Sequence, residues 1–243
     1  MITGYWRFET LKKTKIRKLP SIYKAITITM VILFLASASA VAGDGNIVMI
    51  DKFSGQKDEK GVPLGWELEK KEGKSDIRIE HGGDNFYLHF ISQRSSFGVK
   101  KKVEFRIQDF PILNWKWKAG KLPKGGDVRE KSTDDQAAQV YIAFPKFPAT
   151  VNTRIIGYIW DNEAPKGSTV TSKWWSKLKC IVLRDKTDKL NQWFKERRNV
   201  YEDYKMLFGE EPPEVGGISL YINSQHTKSS AESCFDDVYF TKK

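Results

Sequence analysis

The chain has 243 residues, 40% hydrophobic, 29% charged and 13% aromatic, with a formal net charge of +11. That balance excludes a disordered or collagen-like chain and leaves enough apolar surface for a packed core. Two cysteines are too few for a disulfide-built scaffold, and three scattered histidines, His81, His89 and His226, are too few for a His-rich zinc site.

The N-terminus reads as a secretory signal. Seven Lys/Arg stand against Glu9 in residues 1–24, an apolar run follows from Ala25 to Ala38, and Ala40-Val41-Ala42 supplies an A-x-A cleavage pattern. The run is shorter than the roughly 20 residues a membrane span needs. The expectation is a signal peptide over 1–42, with an uncleaved anchor as the alternative, and a periplasmic or secreted β-sandwich domain over 43–243. Membrane attachment then comes only through the N-terminal segment, if it stays uncut. Removal of 1–42 lowers the net charge from +11 to +5. With no basic helix and no RNP-type aromatic pattern, nothing points to nucleic acid.

Beyond the signal, short β-type runs recur at close spacing. Strands are expected near 47–53, 65–70, 77–81, 86–92, 97–105, 113–118, 136–144, 155–160, 179–184, 192–199, 218–222 and 234–241. Turn signals such as Gly61-Val62-Pro63, Gly82-Gly83, Gly125-Gly126-Asp127 and Pro212-Pro213 separate them. One helix is expected over 200–208, with Asn199 as its cap and Gly209 as its stop. This pattern predicts an all-β, jelly-roll β-sandwich with one short helix near residues 200–208.

The run from Gly125 to Phe144, GGDVREKSTDDQAAQVYIAF, concentrates the candidate ligand-binding residues. Charge at a strand entry costs free energy unless it meets water, a partner or a ligand. Asp127, Arg129, Asp134, Asp135, Gln136, Gln139 and Tyr141 come from this run, and Trp160, Asp161, Arg184 and Arg198 are expected to join them. Strand alternation puts Asp135, Gln139 and Tyr141 on one face and Gln136 on the other. Aromatic rings cover the apolar face of a sugar while carboxylates, amides and guanidinium groups fix its hydroxyls. The competing reading of each charge is a structural ion-pair network.

Several segments resemble the bacterial domain of unknown function 3047 family. They are WKWKAGKLPKGGDVREKSTDDQAAQVYIAFP, IGYIWDNEAPKGS, ERRNVYEDYKMLFGEEPPEVGGISLYIN and SSAESCFDDVYF. The resemblance implies an exported bacterial protein and carries no known activity. The closing FDDVYF and the opening MIDKFS are more loosely similar to galactose-binding-like jelly rolls, an analogy of fold alone. That likeness implies a calcium site drawing on Asp51 and Asp237, with a solvated strand edge as the alternative. It also makes Asp236 an alternative to Asp237. Cys180 and Cys234 stand where the family has aromatic residues, so the resemblance favours their proximity. A disulfide and two buried free thiols both remain open.

No HExxH or GxSxG motif is present. The leading expectation is therefore an exported, non-catalytic binding domain for a carbohydrate or other polyhydroxylated envelope ligand. A glycan hydrolase or lyase pairing Asp134 or Asp135 with Asp161 is the first alternative. A structural envelope protein that docks a protein partner is the second.

Overall fold

The computed structural model describes residues 45–83 and 85–242, so the signal-peptide expectation lies outside the described residues. Thirteen strands run in chain order: β1 (Ile47–Asp51), β2 (Glu67–Glu72), β3 (Ile77–Gly82), β4 (Asn85–Gln93), β5 (Ser96–Phe105), β6 (Ile112–Lys121), β7 (Ala138–Phe144), β8 (Arg154–Trp160), β9 (Thr169–Thr171), β10 (Leu178–Arg184), β11 (Phe194–Asn199), β12 (Val215–Asn223) and β13 (Ser230–Thr241). Among the described residues two α-helices, the single turn α1 (Ala149–Asn152) and α2 (Val200–Phe208), and a 3-10 turn at Lys131–Thr133 join them.

The strands form two packed sheets, a jelly-roll β-sandwich. One sheet has six strands, in the order β11-β6-β13-β4-β3, with β1 also on β13. The other has seven, in the order β2-β5-β12-β7-β8-β10-β9. Strands β4 to β7 alternate between the sheets and clasp β12 in one and β13 in the other. The pairings are antiparallel except β8 with β10, whose connection carries the edge strand β9.

Alternation explains the core. In β7, Ala138, Val140, Ile142 and Phe144 face the other sheet, while Gln139, Tyr141 and Ala143 face outward. Trp115, Trp117, Tyr158 and Trp160 meet edge-on or tilted between the sheets, with centroids 5.4 to 5.9 Å apart. Such aromatic contacts add about 0.5–1.5 kcal/mol each beyond burial. Every residue of β7 is buried, including the outward-facing ones, because loops cover that side of the sheet.

The loop before β7 begins with a polar stretch. The expected strand start at Gln136 is corrected to Ala138, because residues 134–136 spend their hydrogen bonds on side chains and turns rather than a ladder. Strand β9 and helix α1 carried no periodic signal, being 3 and 4 residues long.

Helix α2 closes one end of the sandwich. Tyr204 packs against Phe144 at 4.7 Å and Phe208 at 4.8 Å. The Asn199 side chain accepts from the Glu202 backbone N–H at 3.1 Å, and Gly209 ends the helix at φ +70°. That conformation suits glycine, which has no Cβ to clash. Among the described residues no helix is long and apolar enough to cross a membrane.

Replacing the cap, Asn199→Ala, is expected to cost about 1 kcal/mol and lower Tm by about 2–4 °C. Thermal denaturation of the variant checks this, and an unchanged Tm would remove the cap from the account.

Candidate functional site

The site lies on the outer face of the seven-stranded sheet, where β12, β7 and β8 meet beneath the loops that precede β7 and β10. Cross-strand register places Tyr221 beside Gln139, and Tyr141 between Ser219 and Gly157. Two glycines make room for the rings. A Cβ on Gly98 would stand 2.3 Å from Tyr221 Cδ2, and one on Gly157 would stand 2.7 Å from Tyr141 Cε1. The two tyrosine rings therefore lie down over bare backbone, 6.4 Å apart, as part of a second small apolar cluster with Cys180, Leu178 and Val128.

Buried polar groups on this face must satisfy one another. Gln139 Nε2 donates to Asn223 Oδ1 at 2.7 Å, and the Gln136 backbone N–H donates to the same oxygen at 2.8 Å. Asn223 Nδ2 donates to the Asp134 carbonyl at 2.6 Å. Tyr141 donates its hydroxyl proton to Gln139 Oε1. The Gln136 amide then bridges two carboxylates, donating to Asp134 Oδ1 at 3.0 Å and to Asp161 Oδ2 at 3.4 Å.

These groups line a narrow cleft with Asp134, Gln136, Gln139, Tyr141 and Asn223 on one side and Ser172 and Trp174 on the other. Its free volume is about 10 Å³, the space of a single water molecule or hydroxyl group. Trp174 stacks on His226 at 5.5 Å and 26°, with the Lys131 ammonium 5.1 Å from its ring centre.

The acids around the cleft differ sharply in environment. Burial pushes the Asp134 carboxyl up to about 6, outweighing the Gln136 hydrogen bond and the attraction of Lys71. Burial also pushes Glu69, on the same face at the β2 edge, up to about 7 against the pull of Lys100. The Lys71 ammonium is shifted down by burial, with Asp134 and Glu69 opposing. Three titratable groups displaced toward neutrality on one face are a mark of functional sites, although structural networks produce them too.

The structure separates the other expected residues from this cleft. Asp161 is fully buried and its four acceptor positions are filled: Oδ1 by the Glu163 and Ala164 N–H groups, Oδ2 by the Val128 N–H and by Gln136. Burial pushes it up to about 6, and it serves as a clip between two loops. Asp135 is also fully buried and accepts from the His226 and Thr227 backbone N–H groups and the Thr227 hydroxyl. Asp127 and Arg129 form an exposed two-bond ion pair at 2.8 Å.

Trp160 is corrected from a stacking ring to a core residue: it is fully buried between the sheets, with Nε1 donating to the Asp185 carbonyl. Arg184 pairs with Glu196 at 2.7 Å and Asp188 at 3.0 Å, linking the sheets at their edge. Arg198 forks onto Asp203, which also accepts from Tyr158. Neither arginine reaches the cleft lining, because a partly buried guanidinium is better served by a nearby carboxylate than by water.

Of the two readings left open for the cysteines, the structure has the free thiols. Cys180 and Cys234 are free and buried, one on the outer face of each sheet, so the whole sandwich lies between them. Burial raises both thiols, Cys234 up to about 12. Asp51 accepts from Trp66 Nε1 and the Phe53 N–H at 2.7 Å each, while Asp237 pairs with Lys116. Among the described residues no group of three His, Cys, Asp or Glu side chains is placed to hold a metal ion.

Sequence reasoning missed Asn223, Ser172, Glu69 and Lys71. Glu69 and Lys71 looked like ordinary strand-edge charges, and only the fold brings β2 to this face.

The Asp134 shift has a defined sign. Between 3.8 and about 6 the folded protein keeps a proton that the unfolded chain has lost, so stability falls as pH rises through that window. Asp134→Asn removes this contribution. Its Tm is expected to decline less than the parent's between pH 4 and 7, by a few degrees. Parallel Tm profiles for the two proteins would place Asp134 in water.

Residues 65–239 match the sequence profile of the family described as protein of unknown function, DUF3047, and the chain belongs to that family. No curated protein sequence matches the chain. Among solved structures, it is similar to the family 11 carbohydrate-binding module of the cellulosomal cellulase Lic26A-Cel5E of Clostridium thermocellum, at 10% identity and TM-score 0.45, over 83% of this chain and 97% of that one. A family 30 carbohydrate-binding module of a second Clostridium thermocellum cellulosomal cellulase is similar at 9% identity and TM-score 0.45, over 81% and 98%.

Proposed function

We propose that this DUF3047 domain is an exported, non-catalytic binding domain for a carbohydrate or other polyhydroxylated envelope ligand, periplasmic or secreted. The observation that carries the reading is the cleft itself. Four side chains with complementary donors and acceptors, Asp134, Gln136, Gln139 and Asn223, converge on a space for one hydroxyl group beside an aromatic ring. A sugar hydroxyl enters that space, and its ring lies outside, against the half-buried Trp174. Asp134 accepts from the hydroxyl, while the Gln136 and Gln139 amides hold the polar wall in register. The pre-formed network lowers the ordering cost of binding.

A glycan hydrolase or lyase is the second reading, favoured by Glu69 and Asp134 titrating near 7 and 6 on one face. The pairing of Asp134 with Asp161 gives it no support. Both carboxylates accept from the same Gln136 amide, and Asp161 has no exposed surface with which to meet a glycosidic bond.

A glycan array probed with the purified protein and with Asp134→Ala tests the reading. Binding by the parent is expected, with affinity at least about tenfold weaker in the variant, the equivalent of about 1.4 kcal/mol. A folded parent that binds no glycan sinks the proposal, and soluble cleavage products in the same samples replace it with the enzyme reading.

A further inference from the structure

A second groove opens one turn away from the cleft. It has a free volume of about 490 Å³ and is lined by Gln93, Arg94, Lys228, Ser229 and Ser230, with no acidic residue in its wall. Arg78, Arg129, Arg154, Arg184 and Arg198 are each paired with a carboxylate. Arg94, like Arg197, has no carboxylate partner among the described residues, and neither does Lys228.

Both cations also sit in left-handed backbone conformations, Arg94 at φ +50° and Lys228 at φ +52°. Glycine or asparagine occupies that region at lower cost, and a long cationic side chain gains nothing locally from being there. The two turns are tied together, with the Arg94 N–H donating to the Ser229 carbonyl at 2.9 Å and the Ser224 N–H to the Ser95 carbonyl at 2.9 Å. The Ser229 N–H closes the turn onto the Ser224 carbonyl at 3.1 Å. The two turns that bring the cations to one groove are therefore held together by backbone hydrogen bonds, with the Gln93 amide and Ser230 hydroxyl as further donors.

The turn 224–229 joins this groove to the cleft. On one side His226 stacks on Trp174 and Thr227 caps the buried Asp135. On the other side Lys228 and Ser229 form the groove wall. Lys228 follows His226 by two residues, at most about 7 Å of chain.

We infer that the ligand is an acidic glycan, whose anionic substituent is held in the groove by Arg94 and Lys228 while a hydroxyl of a neighbouring sugar enters the Asp134 cleft. The inference rests on the binding reading above and adds the ligand's charge. Arginine takes a carboxylate, sulfate or phosphate through two parallel N–H donors, and the lysine adds a point charge. Those three anions share the chemistry the groove selects for.

Calorimetric titration of the purified protein against four probes separates the outcomes. They are an oligogalacturonate, its carboxyl-reduced neutral counterpart, a sulfated galactan oligosaccharide and a phosphorylated mannan oligosaccharide. At least one anionic probe is expected to bind about tenfold or more tightly than the neutral one, with an advantage that shrinks as salt screens it. The double variant Arg94→Gln, Lys228→Gln is expected to lose that advantage and keep the neutral probe's affinity, with an unchanged circular dichroism spectrum. Equal affinity for neutral and anionic probes, or an anionic preference that survives in the double variant, overturns the inference and leaves the binding reading standing. A folded parent that binds none of the four overturns both.

Discussion

The side chains of β7 are buried on both faces. A strand at the centre of a sandwich ordinarily shows water one side, and its outward residues are then free to be polar. Here the loops before β7 and β10 close over that side, so Gln139 and Tyr141 must find partners inside the protein or leave uncompensated polar atoms. They find them in Asn223 on the next strand and in each other. The polar network of the candidate site follows from burying a strand on both faces, and the glycines at 98 and 157 are what let the tyrosine rings lie flat enough for the loops to close.

The charged residues near that network divide by how completely their oxygens are used. Asp161 and Asp135 give their acceptors to backbone N–H groups of loops that have no strand ladder to satisfy them. Removing either would strand several buried donors, each costing about 1–3 kcal/mol. Asp134 has the opposite character. Its neighbours are an amide and the electrostatic reach of a lysine, and its carboxyl is displaced toward neutrality without being walled in by backbone. Local hydrogen bonding therefore distinguishes a structural acid from a candidate ligand-binding one, although Asp134 and Asp135 are sequence neighbours and Asp161 follows β8, which pairs with β7.

The turn 224–229 has two working faces. Its inner side holds Asp135 and the His226–Trp174 stack, and its outer side carries Lys228, which lines the groove with Arg94. A change in the turn alters the cleft wall and the cationic groove together. On the outer face of the six-stranded sheet, His89 lies between Glu80 and Glu232 at 2.9 Å each, and Tyr87 and Trp193 share the Lys118 ammonium.

Local pattern determined most of the architecture. Alternation marked the strand that carries Val140, Ile142 and Phe144, the Asn199–Glu202 spacing marked the helix cap, and Gly209 marked its end, because these signals depend on backbone periodicity and local hydrogen bonds. The family and the β-sandwich class followed from the same residues. Tertiary structure alone decided which charges meet. Trp160 faces the core and Trp174 the cleft because strand phase and loop path set them there. Cys180 and Cys234 stand on opposite outer faces because β10 and β13 belong to different sheets. Glu69, Asn223 and Asp134, far apart in the chain, share one face because β2, β12 and the loop before β7 converge on it. A sequence records the order of such groups; their dielectric environment, and with it the distinction between a clip and a ligand contact, exists only once the sheets have closed.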